Sequence, residues 1–237
     1  MIETKNLSKI YTTDGVETPA LRSVDLKIKK GEFLAIMGPS GSGKSTLLHI
    51  LGFLDNYTGG EFYFDGKLAD TFSDDDLARL RNEQVGFIFQ SFNLLPRATV
   101  FENVRLPLLY SKIPEKDWEV LVRQAVESVG LSHRIDYLSS KLSGGEKQRA
   151  AIARSLVCDP QIIFADEPTG NLDSKSGQVV MDIIQKLSTE QNRTIILVTH
   201  ETYTSQYAER IITLKDGKLE SDRKVANRHI AKDGFFK

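Results

Sequence analysis

The chain has 237 residues, with 31 lysines and arginines against 32 aspartates and glutamates and a formal net charge of -1. Hydrophobic residues make up 40% and charged residues 27%, the balance of a globular chain long enough to bury a substantial core. Near-neutral charge argues against a nucleic-acid binder that works by bulk positive charge. No apolar run approaches the ~20 residues of a membrane-spanning helix. Met1 to Asn6 lack the cationic and apolar stretches of a secretory signal. The lone Cys158 excludes an intramolecular disulfide and any zinc site with two cysteine ligands. A cytoplasmic protein is expected.

In chain order, Val24-Asp25-Leu26-Lys27-Ile28-Lys29 is apolar at every second residue, which predicts a half-buried strand. A turn at Lys30-Gly31 leads into the wholly apolar Phe33-Leu34-Ala35-Ile36-Met37, the pattern of a strand buried on both faces of a parallel sheet. Ile162 to Ala165 and Ile195 to Val198 repeat it, and Val85 to Phe89 is also strand-like. Helical patterns run from Lys44 to Leu54, Ser73 to Arg81, Glu115 to Val129, Glu146 to Val157 and Gly177 to Leu187. Asp74-Asp75-Asp76 after Ser73 reads as the acidic first turn of a capped helix rather than a cation site. Buried strands alternating with helices predict an α/β fold with a mainly parallel sheet. Between Phe89 and Ile162 no buried-type strand is visible, and Pro96, Pro107 and Pro114 break the region up. A helical lobe is expected over residues 91–140, inserted into a core of residues 1–90 and 141–220 within a single domain. The tail from 221 to 237 carries Arg223, Lys224, Arg228, Lys232 and Lys237, and is expected to be frayed or loosely docked.

Gly38-Pro39-Ser40-Gly41-Ser42-Gly43-Lys44-Ser45 fits the phosphate-binding pattern G-x-x-x-x-G-K-[ST] between a buried strand and a helix. Its glycines let the backbone curl so that several N–H groups face one anion, and the helix dipole adds to them. Lys44 supplies a mobile cation for the β- and γ-phosphates, and the Ser45 hydroxyl a ligand for Mg²⁺. A dinucleotide fingerprint would need a third glycine where Ser45-Thr46 stand. Asp166-Glu167 end the strand Ile162 to Ala165, at the edge where open α/β sheets collect ligands. Asp166 is placed to hold hydrated Mg²⁺, and Glu167 to polarise an attacking water. The guanine-selecting N-K-x-D motif is absent, and His49, His133 and His229 read as structural or surface residues.

Leu142-Ser143-Gly144-Gly145-Glu146-Lys147-Gln148-Arg149 lies upstream of that acidic strand by enough chain for one helix, a turn and a strand. Together with the loop at Gly38, this stretch resembles the signature of ABC-type ATPases, and the resemblance extends over residues 2 to 220. It implies a RecA-like P-loop core with an N-terminal antiparallel β subdomain. It also implies that ATP is bound by Tyr11, stacking on adenine, and by Gly38, Ser40, Gly41, Ser42, Gly43, Lys44, Ser45 and Thr46. Mg²⁺ would be held by Ser45, Gln90 and Asp166, with Glu167, His200 and Gln90 as the catalytic set. Asn171-Leu172-Asp173 resembles a loop that crosses between subunits. Two copies would sandwich ATP, with Ser143 and Gly145 of one copy facing the γ-phosphate on Lys44 of the other.

The partners so implied are a second copy and a separate transmembrane permease, which would hold the protein on the inner face of the cell membrane; nucleic acid is not expected. Phe92 to Pro96 and Glu102 to Tyr110 resemble the branch of macrolide exporters, lipoprotein-release systems and the cell-division pair. Export or release of a hydrophobic or amphipathic substrate is the preferred expectation, and the ATPase of a cell-division or cell-wall regulatory complex the alternative. A soluble ATPase of DNA repair or translation fits poorly: the stretch from Gln90 to Leu142 is too short for a coiled-coil insertion, and there is one ATPase unit.

Overall fold

The computed structural model describes residues 1–230. The chain opens with a long antiparallel pair, β1 (Ile2–Thr13) and β2 (Val16–Ile28), and continues through β3 (Phe33–Met37) into α1 (Lys44–Leu51). β4 (Gly59–Phe64) and β5 (Lys67–Leu68) return to β1, and α2 (Asp74–Glu83) leads to β6 (Val85–Phe89). α3 (Val100–Arg105) and α4 (Glu115–Ser128) follow, then α5 (Gly144–Leu156), β7 (Ile162–Asp166), α6 (Ser174–Thr189) and β8 (Thr194–Val198). The described chain closes with α7 (Thr202–Ser205), β9 (Arg210–Lys215) and β10 (Lys218–Lys224).

Two sheets result. One is four-stranded in the order β2-β1-β4-β5 and antiparallel throughout. The other has the order β10-β9-β3-β8-β7-β6 and is parallel except for β10 on its edge. The apolar runs of β3, β7 and β8 are buried on both faces because each face meets a different core. Phe33, Ala35, Ile163, Ala165, Ile195 and Leu197 pack with the helices of the middle of the chain. Leu34, Ile36, Ile162, Phe164, Ile196 and Val198 pack with α1 and the antiparallel sheet. Val100, Val104, Val122 and Val126 of α3 and α4 belong to the first core, so the helical region at 91–140 is continuous with the sheet.

Local chemistry sets the element ends. Ser73, Thr99 and Ser143 each cap a helix in a reciprocal box with the acid three residues on. Asp173 caps α6, which therefore begins before the expected Gly177. α1 ends at Leu51 rather than Leu54, because Phe53 takes a left-handed backbone at φ 61° and the Leu54 N–H turns back to His49 O at 2.8 Å. Among the described residues no helix is long and apolar enough to cross a membrane.

Over residues 221–230 the chain is not the loose tail expected there. β10 runs through that boundary and pairs with β9, from Lys218 opposite Lys215 to Lys224 opposite Arg210. It is fastened by a bidentate pair, Arg210 Nε and Nη2 to the two Asp222 oxygens, each at 2.6 Å. Arg210 also bonds Glu32 at 2.9 Å, tying the edge to the turn before β3. The charges at Lys232 and Lys237 lie outside the described residues.

The Arg210 guanidinium holds the Asp222 carboxyl below its ordinary range, against an opposing effect of burial. A depressed folded-state value stabilises above the unfolded one and is lost as pH falls through the folded one. Asp222→Asn is therefore expected to lower the urea midpoint at pH 7, with the gap from wild type closing below pH of about 4.

Candidate active site

The parallel register brings four strand ends into line. Ile36 pairs with Val198, Val198 with Asp166, and Asp166 with Phe89. The residues just past this row are the Gly38 loop, Thr199-His200, Glu167 and Gln90. Four sequence segments far apart in the chain thus meet at one sheet edge, the carboxyl edge where ligands bind in open α/β folds.

The loop after β3 needs its glycines for two different reasons. Gly38 has φ 146°, and a Cβ there would lie 2.1 Å from the Leu214 carbonyl oxygen. Gly43, at φ 95°, would put one 2.5 Å from Ala20 O. Close packing against β9 and β2 thus shapes the cradle as much as backbone freedom does. Inside it, the Ser42 hydroxyl is buried with no hydrogen-bond partner among the described residues. Lys44 Nζ donates to Pro39 O at 2.8 Å, folded over the loop. A cavity of about 580 Å³ opens here, lined by Ser40, Gly41, Gly43, Lys44, Ser45 and Thr46, by Ala20, and across it by Glu167 and His200. An orphaned donor, a nest of glycines and a lysine fit a phosphate chain.

The acidic side is closely coupled to the loop. Ser45 Oγ donates to Asp166 Oδ1 at 3.3 Å. Burial raises the Asp166 carboxyl above its ordinary value, opposed by the Ser45 hydrogen bond and the nearby His49. A hydroxyl and a desolvated carboxylate this close form a hard-oxygen donor pair that suits Mg²⁺. His49, read from sequence as structural or surface, has Nε2 3.9 Å from Asp166 Oδ2. It sits on α1 one turn beyond Ser45, a spacing that could have pointed to it. Glu167 takes a left-handed backbone with φ 44°, unusual for a residue with a side chain. Its N–H bonds Val198 O at 2.9 Å, and its Oε1 meets His200 Nδ1 at 2.9 Å.

Other expected site residues lie outside this lining. The Tyr11 hydroxyl donates to Asp55 Oδ2 at 2.7 Å, and Lys9 Nζ stands 4.7 Å from its ring centre. Burial and then the Asp55 carboxylate raise the phenol's pKa, and Thr46 beside it opposes them. The sequence reading passed over this Lys9–Tyr11–Asp55 group, whose members pair across β1 and the loop after α1. Gln90 abuts Gly170, where a Cβ would come within 2.5 Å of Nε2, and its carbonyl accepts from Asn171 Nδ2 at 3.0 Å. Ser143 caps α5 with its own hydroxyl, and a Cβ on Gly145 would lie 2.8 Å from Ser176 Oγ of α6. Asp173 accepts from the Lys175 and Ser176 N–H groups.

Residues 21–170 match the sequence pattern of a family described as ABC transporter. The chain belongs to the ABC transporter family. It is one of the family's ATPase domains. A macrolide export ATP-binding/permease protein MacB of Bdellovibrio bacteriovorus is 50% identical over 226 residues, 95% of this chain but 34% of that protein. The chain thus spans about a third of the length of such relatives. An uncharacterized ABC transporter ATP-binding protein of Methanocaldococcus jannaschii, MJ0796, is 44% identical, covering 95% of this chain and 97% of its own. Among solved structures, a dimeric post-hydrolysis state of the cassette MJ0796 bound to ADP and Pi has a TM-score of 0.87 at 42% identity, over 96% of this chain and 100% of that one. The P-loop core, the antiparallel sheet and the helical region described above are the architecture of ABC cassettes.

The orphaned Ser42 hydroxyl makes the cradle a place where stability and binding oppose each other. Ser42→Ala is expected to raise the unfolding free energy of the nucleotide-free protein by about 1 kcal/mol. The same change is expected to weaken ATP binding. Urea denaturation and calorimetric titration of the one variant check both.

Proposed function

We propose that this chain hydrolyses Mg–ATP within a dimer of two copies and drives a transmembrane permease that exports or releases a hydrophobic or amphipathic substrate. One observation carries the dimer: the cavity around Lys44, Glu167 and His200 has no lining residue from the ABC signature at Ser143 to Gly145. The capping box at Ser143 uses the N–H groups of Ser143 and Glu146. Those of Gly144 and Gly145 are left to an outside acceptor, and the α5 dipole favours an anion there. A second copy, turned so that its Ser143 and Gly145 face the γ-phosphate on Lys44, completes the site. The dimeric MJ0796 cassettes support this reading.

In that site the loop from Gly38 to Thr46 grips the phosphates, and Tyr11 stacks on the adenine. Ser45, Asp166 and Gln90 would hold Mg²⁺, which would supply positive charge to offset that of the phosphates. Glu167, lining the same cavity as Lys44, accepts a proton from the attacking water. His200, bonded to Glu167, orients that carboxylate and reaches the γ-phosphate. Gln90 stands between β6 and the helical region and its backbone carbonyl accepts from Asn171, so it joins the entry to that region to the loop before α6. Closing two copies around ATP and releasing them after hydrolysis supplies two global states, the requirement for driving a permease. The exported substrate is inferred from the MacB relatives' name at 50% identity. Attachment to the permease would hold the chain at the membrane's inner face.

Glu167→Gln is expected to lower phosphate release by at least about 100-fold while ATP still binds. With ATP the same variant should elute as a dimer in size-exclusion chromatography, and a fully active variant would remove Glu167 from its role. Ser143→Arg should leave binding to monomers intact and abolish turnover at every protein concentration. Wild-type turnover in that variant would refute the composite site.

A further inference from the structure

His200 is anchored unequally. On its upstream side the Thr199 N–H bonds Ile36 O at 3.2 Å, tying it to the sheet. On its downstream side lies α7, a single turn of four residues whose cap residue Glu201 makes no side-chain bond to a helix N–H. So short a helix has no stability of its own, and its position depends on what packs against it.

The segment 225–230, just past β10, packs against α7 and the residues after it. The Val225 N–H bonds Glu209 O at 2.9 Å, and the His229 N–H bonds Gln206 O at 3.0 Å. Arg228 reaches the Tyr207 carbonyl with Nε and Nη2, at 3.3 and 3.1 Å, and the Glu209 carboxylate with Nη1 at 3.0 Å. The His229 ring meets Tyr203 edge-on at 4.4 Å and stacks with Tyr207 at 5.5 Å, and its carbonyl accepts from Gln185 on α6. Tyr203, third residue beyond His200, in turn donates to Gln178 Oε1 of α6 at 2.7 Å. A continuous set of ring contacts and hydrogen bonds therefore runs from the last described residues to the turn that follows His200.

We propose that residues 225–230 form a strap that sets the position of His200 against Glu167, with Arg228 and His229 as positioning residues acting through Tyr203 and α7. The claim rests on the proposed role of His200 only for its effect on turnover; the positioning itself is a separate physical statement. Its strength is that of a coupling network, in which single changes move function modestly without touching the ligand.

The test uses the full chain with Arg228→Ala, His229→Ala and His229→Phe. Imidazole resonances of His200 in the nucleotide-free protein read its position directly, and steady-state phosphate release reads the consequence. The alanine variants are expected to shift the His200 resonances and to lower kcat by about 3- to 10-fold, with KM for ATP near wild type. Phenylalanine keeps the ring between Tyr203 and Tyr207 and should restore most of both. In a His200→Ala background the strap variants should cost nothing further. Unchanged His200 resonances in both alanine variants would overturn the strap. Shifted resonances, combined with wild-type turnover in His200→Ala, would uphold the strap and instead remove His200 from catalysis.

Discussion

The site depends on one row of parallel pairing. Ile36, Val198, Asp166 and Phe89 lie side by side across β3, β8, β7 and β6. Parallel register places successive strand ends at the same edge, so whatever follows each strand arrives at the same place. A slip of one residue in any of these pairs would move that strand's next residue by more than 3 Å along the sheet and turn its side chains to the other face. The Ser45–Asp166 and Glu167–His200 contacts tolerate no such displacement. The two cores enforce the register, because each strand sends alternate residues into chemically equivalent but spatially separate apolar clusters. The burial that stabilises the sheet and the geometry that assembles the cleft are thus one constraint.

Around that edge the local chemistry is held in a poised condition. A lysine folds over its own loop, a serine hydroxyl is buried unpaired, a carboxyl is raised by burial, and a glutamate adopts a left-handed backbone. The unpaired hydroxyl and the desolvated carboxyl are unfavourable in isolation, and a polyanion with a divalent cation would relieve both. The near-equality of positive and negative residues in the whole chain gives no hint of this. Its local counterpart is Lys44 sharing one cavity with Glu167, beside the Ser45–Asp166 pair.

The legibility of the sequence followed the strength of the local pattern. Continuous apolar runs such as Phe33 to Met37 announce strands buried on both faces, and the glycine spacing of the phosphate loop is rigid because close packing at Gly38 and Gly43 allows nothing larger. In the antiparallel sheet the alternation is regular only at Val24 to Ile28, where one face is buried, although Asp14-Gly15 and Asp65-Gly66, all at positive φ, mark its hairpin turns. β1 alternates poorly, since Asn6 takes positive φ and the register shifts between Thr4 and Leu7. β9 and β10 carry a hairpin signal that apolar runs alone do not reveal, Asp216-Gly217, both at positive φ, between Ile211 to Leu214 and Leu219, whereas the segment 225–230 had none. Their anchors are Arg210 on Asp222 and Arg228 on a carbonyl, polar contacts with no period. His49 beside Asp166 and the Lys9–Tyr11–Asp55 group escaped for a related reason: contacts between distant segments exist only once the fold is made.

The residues proposed for catalysis also differ in how they are anchored, and that difference bears on how ATP could be coupled to motion. The phosphate loop is clamped by backbone at Leu214 and Ala20, and Glu167 by its N–H on Val198, so both belong to the rigid sheet. Gln90 bonds Asn171, and Asn171 leads into Asp173 and α6. His200 is fixed to the sheet on one side and to a single helical turn on the other, and that turn leans on α6 through Tyr203 and Gln178. α6 packs against α5, whose first turn holds Ser143 and whose Gly145 fits against Ser176 only for lack of a side chain. The elements a second copy would touch are therefore joined, within this chain, to the proposed catalytic residue that the sheet holds from one side alone. A cassette built this way would feel the arrival of its partner first at His200, while the phosphate grip stays as the sheet made it.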